Sequence, residues 1–200
     1  MILTVTSYKG GVGKTTTAVH LACYLHRRHR SVLLVDGDPN RSCLSWSKRG
    51  SLPFPVIDER SLAKHIANYE NIVIDTAARP DRDDLAALVE GCDLLLLPTT
   101  PDAMAMEALS LATEALKQLG AESYRVLLTI VPPKPNKDGD DAREFLTSTG
   151  QPLLKNYARR LVAYQRAALQ GLPVYEIKDR GQDAWSDYLA IGKEVIGNAK

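Results

Sequence analysis

The chain has 200 residues, enough for one domain with a substantial core. Its 44% hydrophobic and 24% charged residues are ordinary for a soluble domain, and a formal net charge of +1 gives no overall basis for nucleic-acid binding. Cys23, Cys43 and Cys92 are odd in number and form no C-x-x-C pair, which argues against a disulfide framework or a thiolate metal site and suits a reducing, cytoplasmic compartment.

The first run, ILTVTS (2–7), predicts a strand. No charged segment followed by an apolar run precedes it, so no signal peptide is expected, nor is a helix-turn-helix that would read an operator. Next comes SYKGGVGKTTT (7–17), which ends like a phosphate-binding loop. The pattern G-x-x-x-x-G-K-[ST] asks for glycine at 8, where Tyr8 stands, and a second lysine, Lys9, follows it. Gly10, Gly11 and Gly13 let the backbone approach an anion closely, and their N–H groups, with that of Val12, form a concavity at the start of a helix predicted over 14–29. Lys14 is expected on the β- and γ-phosphates, the Thr15 hydroxyl on Mg²⁺, and Thr16 on the α-phosphate.

SVLLVD (31–36) predicts the second strand. It leads into Asp36 and Asp38 of VDGDPN, two carboxylates suited to work on Mg²⁺ and an attacking water. Helices are predicted over 41–49 and 59–68. NIVIDT (71–76) is the third strand, and its Asp75 fits a carboxylate that holds Mg²⁺ directly or through water. A helix over 83–91, the strand DLLLLP (93–98), a helix over 102–119 and the strand YRVLLTIV (124–131) follow. The loop PPKPNKDGDD comes next, with Thr129, Pro132 and Pro133 as candidate walls for a base. Helices are expected near 140–149, 156–170 and 183–198. His20, His26 and His29 read as solvated or capping residues on the first helix, and Trp46 as a core or interface residue. Strands apolar on consecutive positions, alternating with helices, predict a doubly wound, mostly parallel α/β sheet with helices on both faces, in a single domain over 1–200. Ligands of such sheets bind beyond the carboxyl ends of the strands.

KGGVGKTT, VDGDPN and VIDTAARP together resemble the deviant Walker A ATPases of the ParA/MinD group, and PTTPDAMAMEAL (98–109) resembles that family's dimer-contacting segment. The resemblance implies an ATPase using ATP and Mg²⁺ that closes into an ATP-sandwich homodimer. It implies that Lys9 crosses to the partner's phosphates while Lys14 serves its own nucleotide. Asp38 is implied to act on the attacking water and, with Thr15 and Asp75, in the metal region. Asn40 stands where glutamine is frequent in the family.

Between 151 and 180, six cations face two anions, a local excess of +4. Lys155, Arg159 and Arg166, with Arg160 beside them, are spaced for one helical face, which predicts nonspecific DNA binding through phosphates. The leading expectation is a partition ATPase associated with the nucleoid and stimulated by a small cargo-bound adaptor. The alternative is positioning of a protein assembly such as carboxysomes or chemoreceptor clusters by the same cycle. A MinD-like membrane cycle is not expected, because YLAIGKEVIGNAK is not a basic amphipathic anchor, and no apolar stretch approaches the roughly 20 residues of a membrane span. An iron–sulfur relative is not expected either, since Cys92 has no cysteine near it in sequence.

Overall fold

The computed structural model describes residues 1–197. Six strands form one parallel sheet in the order β3-β2-β4-β1-β5-β6. These are β1 (Ile2–Ser7), β2 (Val32–Gly37), β3 (Val56–Asp58), β4 (Asn71–Ala78), β5 (Leu94–Thr99) and β6 (Tyr124–Leu128). The helices are α1 (Lys14–Arg27), α2 (Ser42–Arg49), α3 (Leu62–His65), α4 (Arg82–Glu90), α5 (Ala103–Gln118), α6 (Asp138–Ser148), α7 (Val162–Gln170) and α8 (Gly181–Gly197). The helix expected near 183–198 is α8, except that residue 198 lies outside the described residues.

Side chains alternate across the sheet, as strand geometry requires. Leu94 and Leu96 of β5 enter a core built with α1, α2, α7 and α8, while Leu95 and Leu97 enter one built with α4, α5 and α6. Burial on both faces is why these strands read as unbroken apolar runs.

Three expectations need correction. The edge strand β3 is an addition: three half-buried residues carry too little pattern to stand out. The helix expected over 59–68 is a 3₁₀ turn, the four-residue α3 and a second 3₁₀ turn. The helix expected from 156 begins at Val162. Residues 152–160 instead run extended along the free edge of β6: Leu154 donates to Val126 O, Ala158 to Leu128 O and Arg160 to Val131 O. That strip covers a sheet edge that would otherwise expose unpaired backbone groups.

The C-terminal third is docked onto the sheet layer by a close approach. Gly171, at the end of α7, has φ 70°, and a Cβ there would collide with the Gly50 amide at the end of α2. Gly171→Ala is expected to cost about 2–4 kcal/mol through overpacking and left-handed strain, read as a lower urea midpoint. An unchanged midpoint would show that the α2–α7 contact relaxes freely.

Candidate nucleotide site

The loop from Gly10 to Gly13 follows the central strand β1 and opens α1. Gly11 and Gly13 have φ of 78° and 82°, conformations that only glycine adopts without strain. Val12 is buried, and its carbonyl accepts from Thr129 Oγ1 at 2.7 Å, so the residue after β6 anchors the loop from beneath. An open cleft of about 600 Å³ lies above, lined by Gly10, Gly11, Gly13, Lys14, Thr15, Thr16 and Asp38 among others. Glycine amides, the α1 N-terminus and the nearly buried Lys14 make this an anion site.

Asp75 is the fifth residue of β4 and pairs with Val5, just before the register against β1 slips between Val5 and Ser7. It is fully buried. Thr15 Oγ1 donates to its Oδ2 at 2.6 Å, and Oδ1 has no partner among the described residues. Burial pushes this carboxyl up from 3.8 to about 6, against the pull of hydrogen bonds from Thr15 and Cys43 and of the Lys14 charge. A buried carboxylate oxygen with nothing on it, beside a threonine hydroxyl, fits a hard cation or its water shell.

The two aspartates at the end of β2 and just beyond it separate. Asp36 is fully buried and accepts from the Leu44 and Asp38 amides at 2.9 and 3.2 Å, so it shapes the turn into α2 and does not line the cleft. Asp38 does line it, and its Oδ1 is held by the Asn40 backbone and side-chain amides at 2.8 and 2.9 Å.

Lys9 does not line this cleft. Its ammonium lies 2.7 Å from Asp102 Oδ1, the carboxylate that caps α5. Burial works against ionisation of Asp102, yet hydrogen bonds from Lys9, Thr100 and the Ala105 amide hold its carboxyl below the usual range. Tyr8 packs its ring against the α5 side of the sheet, and its carbonyl accepts from Arg79 at 3.0 Å.

Pro132 and Pro133 line a cavity of about 380 Å³ that does not touch the loop. A neighbouring cavity of about 330 Å³ does touch it, through Gly13 and Thr16, and is lined by Ile130, Ala158 and Leu161. The two share Arg159, Arg160 and Leu161, so the predicted prolines stand one cavity away from the phosphates.

The basic face does not form as expected. Lys155 and Arg159 lie on the extended strip, so they share no helical face with Arg166. Arg159 is spent internally, pairing with Asp187 Oδ1 at 2.8 Å and donating to Asp183 O. Arg166 pairs with Asp179 at 2.6 Å on the surface. The side chains of Lys155 and Arg160 form no ion pair among the described residues, although the Lys155 amide donates to Glu194 at 2.8 Å.

Sequence reasoning missed several residues here. His20 is fully buried, not solvated: it stacks on Tyr188, its Nδ1 is 2.6 Å from Thr16 O, and its Nε2 accepts from the Val174 amide. Burial lowers it to about 4, so it is neutral. Arg41 takes φ 53°, donates to Asp36 O and pairs with Asp58 of β3 at 3.0 Å, tying the Asp38 turn to the sheet edge. A helical amphipathic pattern shows no sign of either role.

Comparison with known proteins agrees with this geometry. A family model described as the CobQ/CobB/MinD/ParA nucleotide binding domain matches residues 3–174. The chain is 35% identical to the "Maintenance of carboxysome distribution protein A" of Gloeobacter kilaueensis, over 97% of this chain and 93% of that protein. Identity to the protein of the same name from Halothiobacillus neapolitanus is 27%, over 97% and 95%. The fold superposes on an ATP complex of Cyanothece McdA with a TM-score of 0.72 at 18% identity, covering 98% of this chain and 96% of that one.

Proposed function

The chain belongs to the CobQ/CobB/MinD/ParA nucleotide-binding family, whose ParA/MinD branch consists of ATPases, and from that membership we propose an ATP-dependent dimer that positions a protein assembly. The names of the long-covering relatives favour an assembly of the carboxysome kind over plasmid partition, which reverses the order the sequence alone suggested. Relatives named ParA also match, over a smaller share of the chain, which keeps DNA partition as the second reading.

Lys9 carries the proposal. This loop lysine points away from its own phosphate cleft, toward the start of the α5 segment, which supports a role on a nucleotide held by another copy. Within one subunit, the loop amides and Lys14 hold the phosphates. Asp38 orients the attacking water and accepts its proton. Thr15 and Asp75 would hold Mg²⁺, with Asp38 lining the same cleft as Thr15. When bound, Mg²⁺ neutralises charge developing on the phosphates. The cavity beside Gly13 and Thr16 has the size and apolar lining for the nucleoside.

The dimer is proposed to bind DNA without reading bases. Lys155 and Arg160 contact phosphates; Arg159 and Arg166 contribute less than the sequence suggested, because each is already paired. Binding should appear with ATP, vanish with ADP and weaken steeply with salt. Removing Lys155, which is exposed and lines neither cavity, should reduce the salt slope by about 1. Fluorescence anisotropy on two unrelated duplexes checks this, and binding that ignores the nucleotide contradicts the switch. The cargo is decided by an ATP-dependent pull-down: an adaptor that does not bind DNA supports an assembly, and a DNA-binding adaptor supports partition. No helix among the described residues is long and apolar enough to cross a membrane.

A further inference from the structure

Cys43 is the second residue of α2 and is fully buried. Its thiol lies 3.3 Å from Asp75 Oδ2, the oxygen that also accepts from Thr15 at 2.6 Å. Two donors from two different helices therefore converge on one oxygen. The other, Oδ1, is closed off from solvent and has no partner among the described residues.

This asymmetry bears on the metal. The terminal torsion of an aspartate is broad, so a carboxylate held at one point can still turn. Thr15 can donate its O–H to Oδ2 while an oxygen lone pair binds Mg²⁺, and Cys43 adds a second hold on the same oxygen from α2. The thiol also reaches Asp75 from the helix that follows the Asp38 turn, and the start of that helix is fixed to β2 by the Leu44 amide on Asp36. The aspartate that works on water and the aspartate that works on metal are thus joined through α2.

We propose that Cys43 is a positioning residue for Asp75: its thiol holds Oδ2, so that Oδ1 is the oxygen presented to Mg²⁺ or to its water shell. The inference rests on reading Thr15 and Asp75 as the metal-holding pair. Cysteine suits the position because the thiol is small, apolar enough for a fully buried site and still a donor, if a weak one. Groups that orient metal ligands commonly change metal affinity by about 10–100-fold when removed, and a weak thiol donor places the effect below that range.

The test is binding of a fluorescent ATP analogue, titrated with Mg²⁺, to the wild type, Cys43→Ala and Cys43→Ser. Analogue affinity in EDTA should be equal in all three, since the loop amides and Lys14 supply it. The half-saturating Mg²⁺ concentration should rise about three- to tenfold in Cys43→Ala and return toward wild type in Cys43→Ser, whose hydroxyl restores a donor. Thermal melts establish that the variants are folded. An alanine variant with the wild-type Mg²⁺ requirement overturns the proposal, as does a serine variant that behaves like alanine. Should the wild type itself show no Mg²⁺ dependence, the reading of the metal site fails first, which separates the two failures.

Discussion

Lys9→Ala is expected to bind ATP as a monomer within about threefold of wild type, yet to hydrolyse it at least about 10³-fold more slowly and to remain monomeric with ATP. The expectation combines two magnitudes. The Lys9–Asp102 pair is short at 2.7 Å, but both side chains are partly exposed, so breaking it costs roughly 0–1 kcal/mol. A cation donated across an interface to a transferring phosphoryl group contributes about 10³–10⁵ in rate, or about 4–7 kcal/mol. The pair with Asp102 is therefore a resting position that closure can easily overcome. Sedimentation with ATP reads the dimer, and phosphate release reads the turnover. A mixture separates donation in trans from action in cis. Lys9→Ala and Asp38→Ala are each inactive alone, but together they form one complete site, in which the Asp38→Ala subunit lends its Lys9 to the nucleotide of the other. Recovered turnover supports donation in trans. A dead mixture in which the two variants, differently tagged, co-purify as a heterodimer assigns Lys9 to its own nucleotide.

The sequence exposed most of the sheet because burial on both faces leaves runs such as LLLLP with no polar interruption. It exposed the phosphate loop because glycine at 11 and 13 and lysine at 14 answer to local demands of backbone and charge. The elements it hid owe their form to distant partners. Residues 152–160 have helix-compatible composition, but their backbone groups pair with the β6 edge, so tertiary hydrogen bonding overrides local preference. The basic face failed for the same reason. Arg159 looked free in sequence, and only the packing of α8 brings Asp187 to it. Asp36 and Asp38 stand two residues apart, and the turn sends Asp36 into the protein and Asp38, the residue matched to the family's switch aspartate, into the cleft. Cys43 was invisible as a polar contact because its partner, Asp75, is 32 residues away on β4.

Asp75→Asn is expected to abolish Mg²⁺-dependent hydrolysis and, in the nucleotide-free protein, to raise stability at pH 8 by about 1–3 kcal/mol. The sign follows from linkage. Asp75 holds its proton more tightly folded, at about 6, than unfolded, at about 3.8. Its contribution therefore favours the fold at low pH and is lost as pH rises through about 6, up to about 3 kcal/mol in all. Asparagine cannot ionise, so it escapes that loss. Its carbonyl can keep the Thr15 and Cys43 donors, and its amide takes the place of Oδ1, which is already without a partner, so no new unpaired group is created. Urea denaturation across pH 3 to 8 should show the two stability curves separating between about 4 and 6 and keeping a constant gap above that. Curves that stay parallel over the whole range would mean that water or relaxation already offsets the burial of Asp75. Divergence would mean that the fold keeps a charged group where it is unfavourable until a cation arrives, and that binding the cation returns the stability that the empty site gives up.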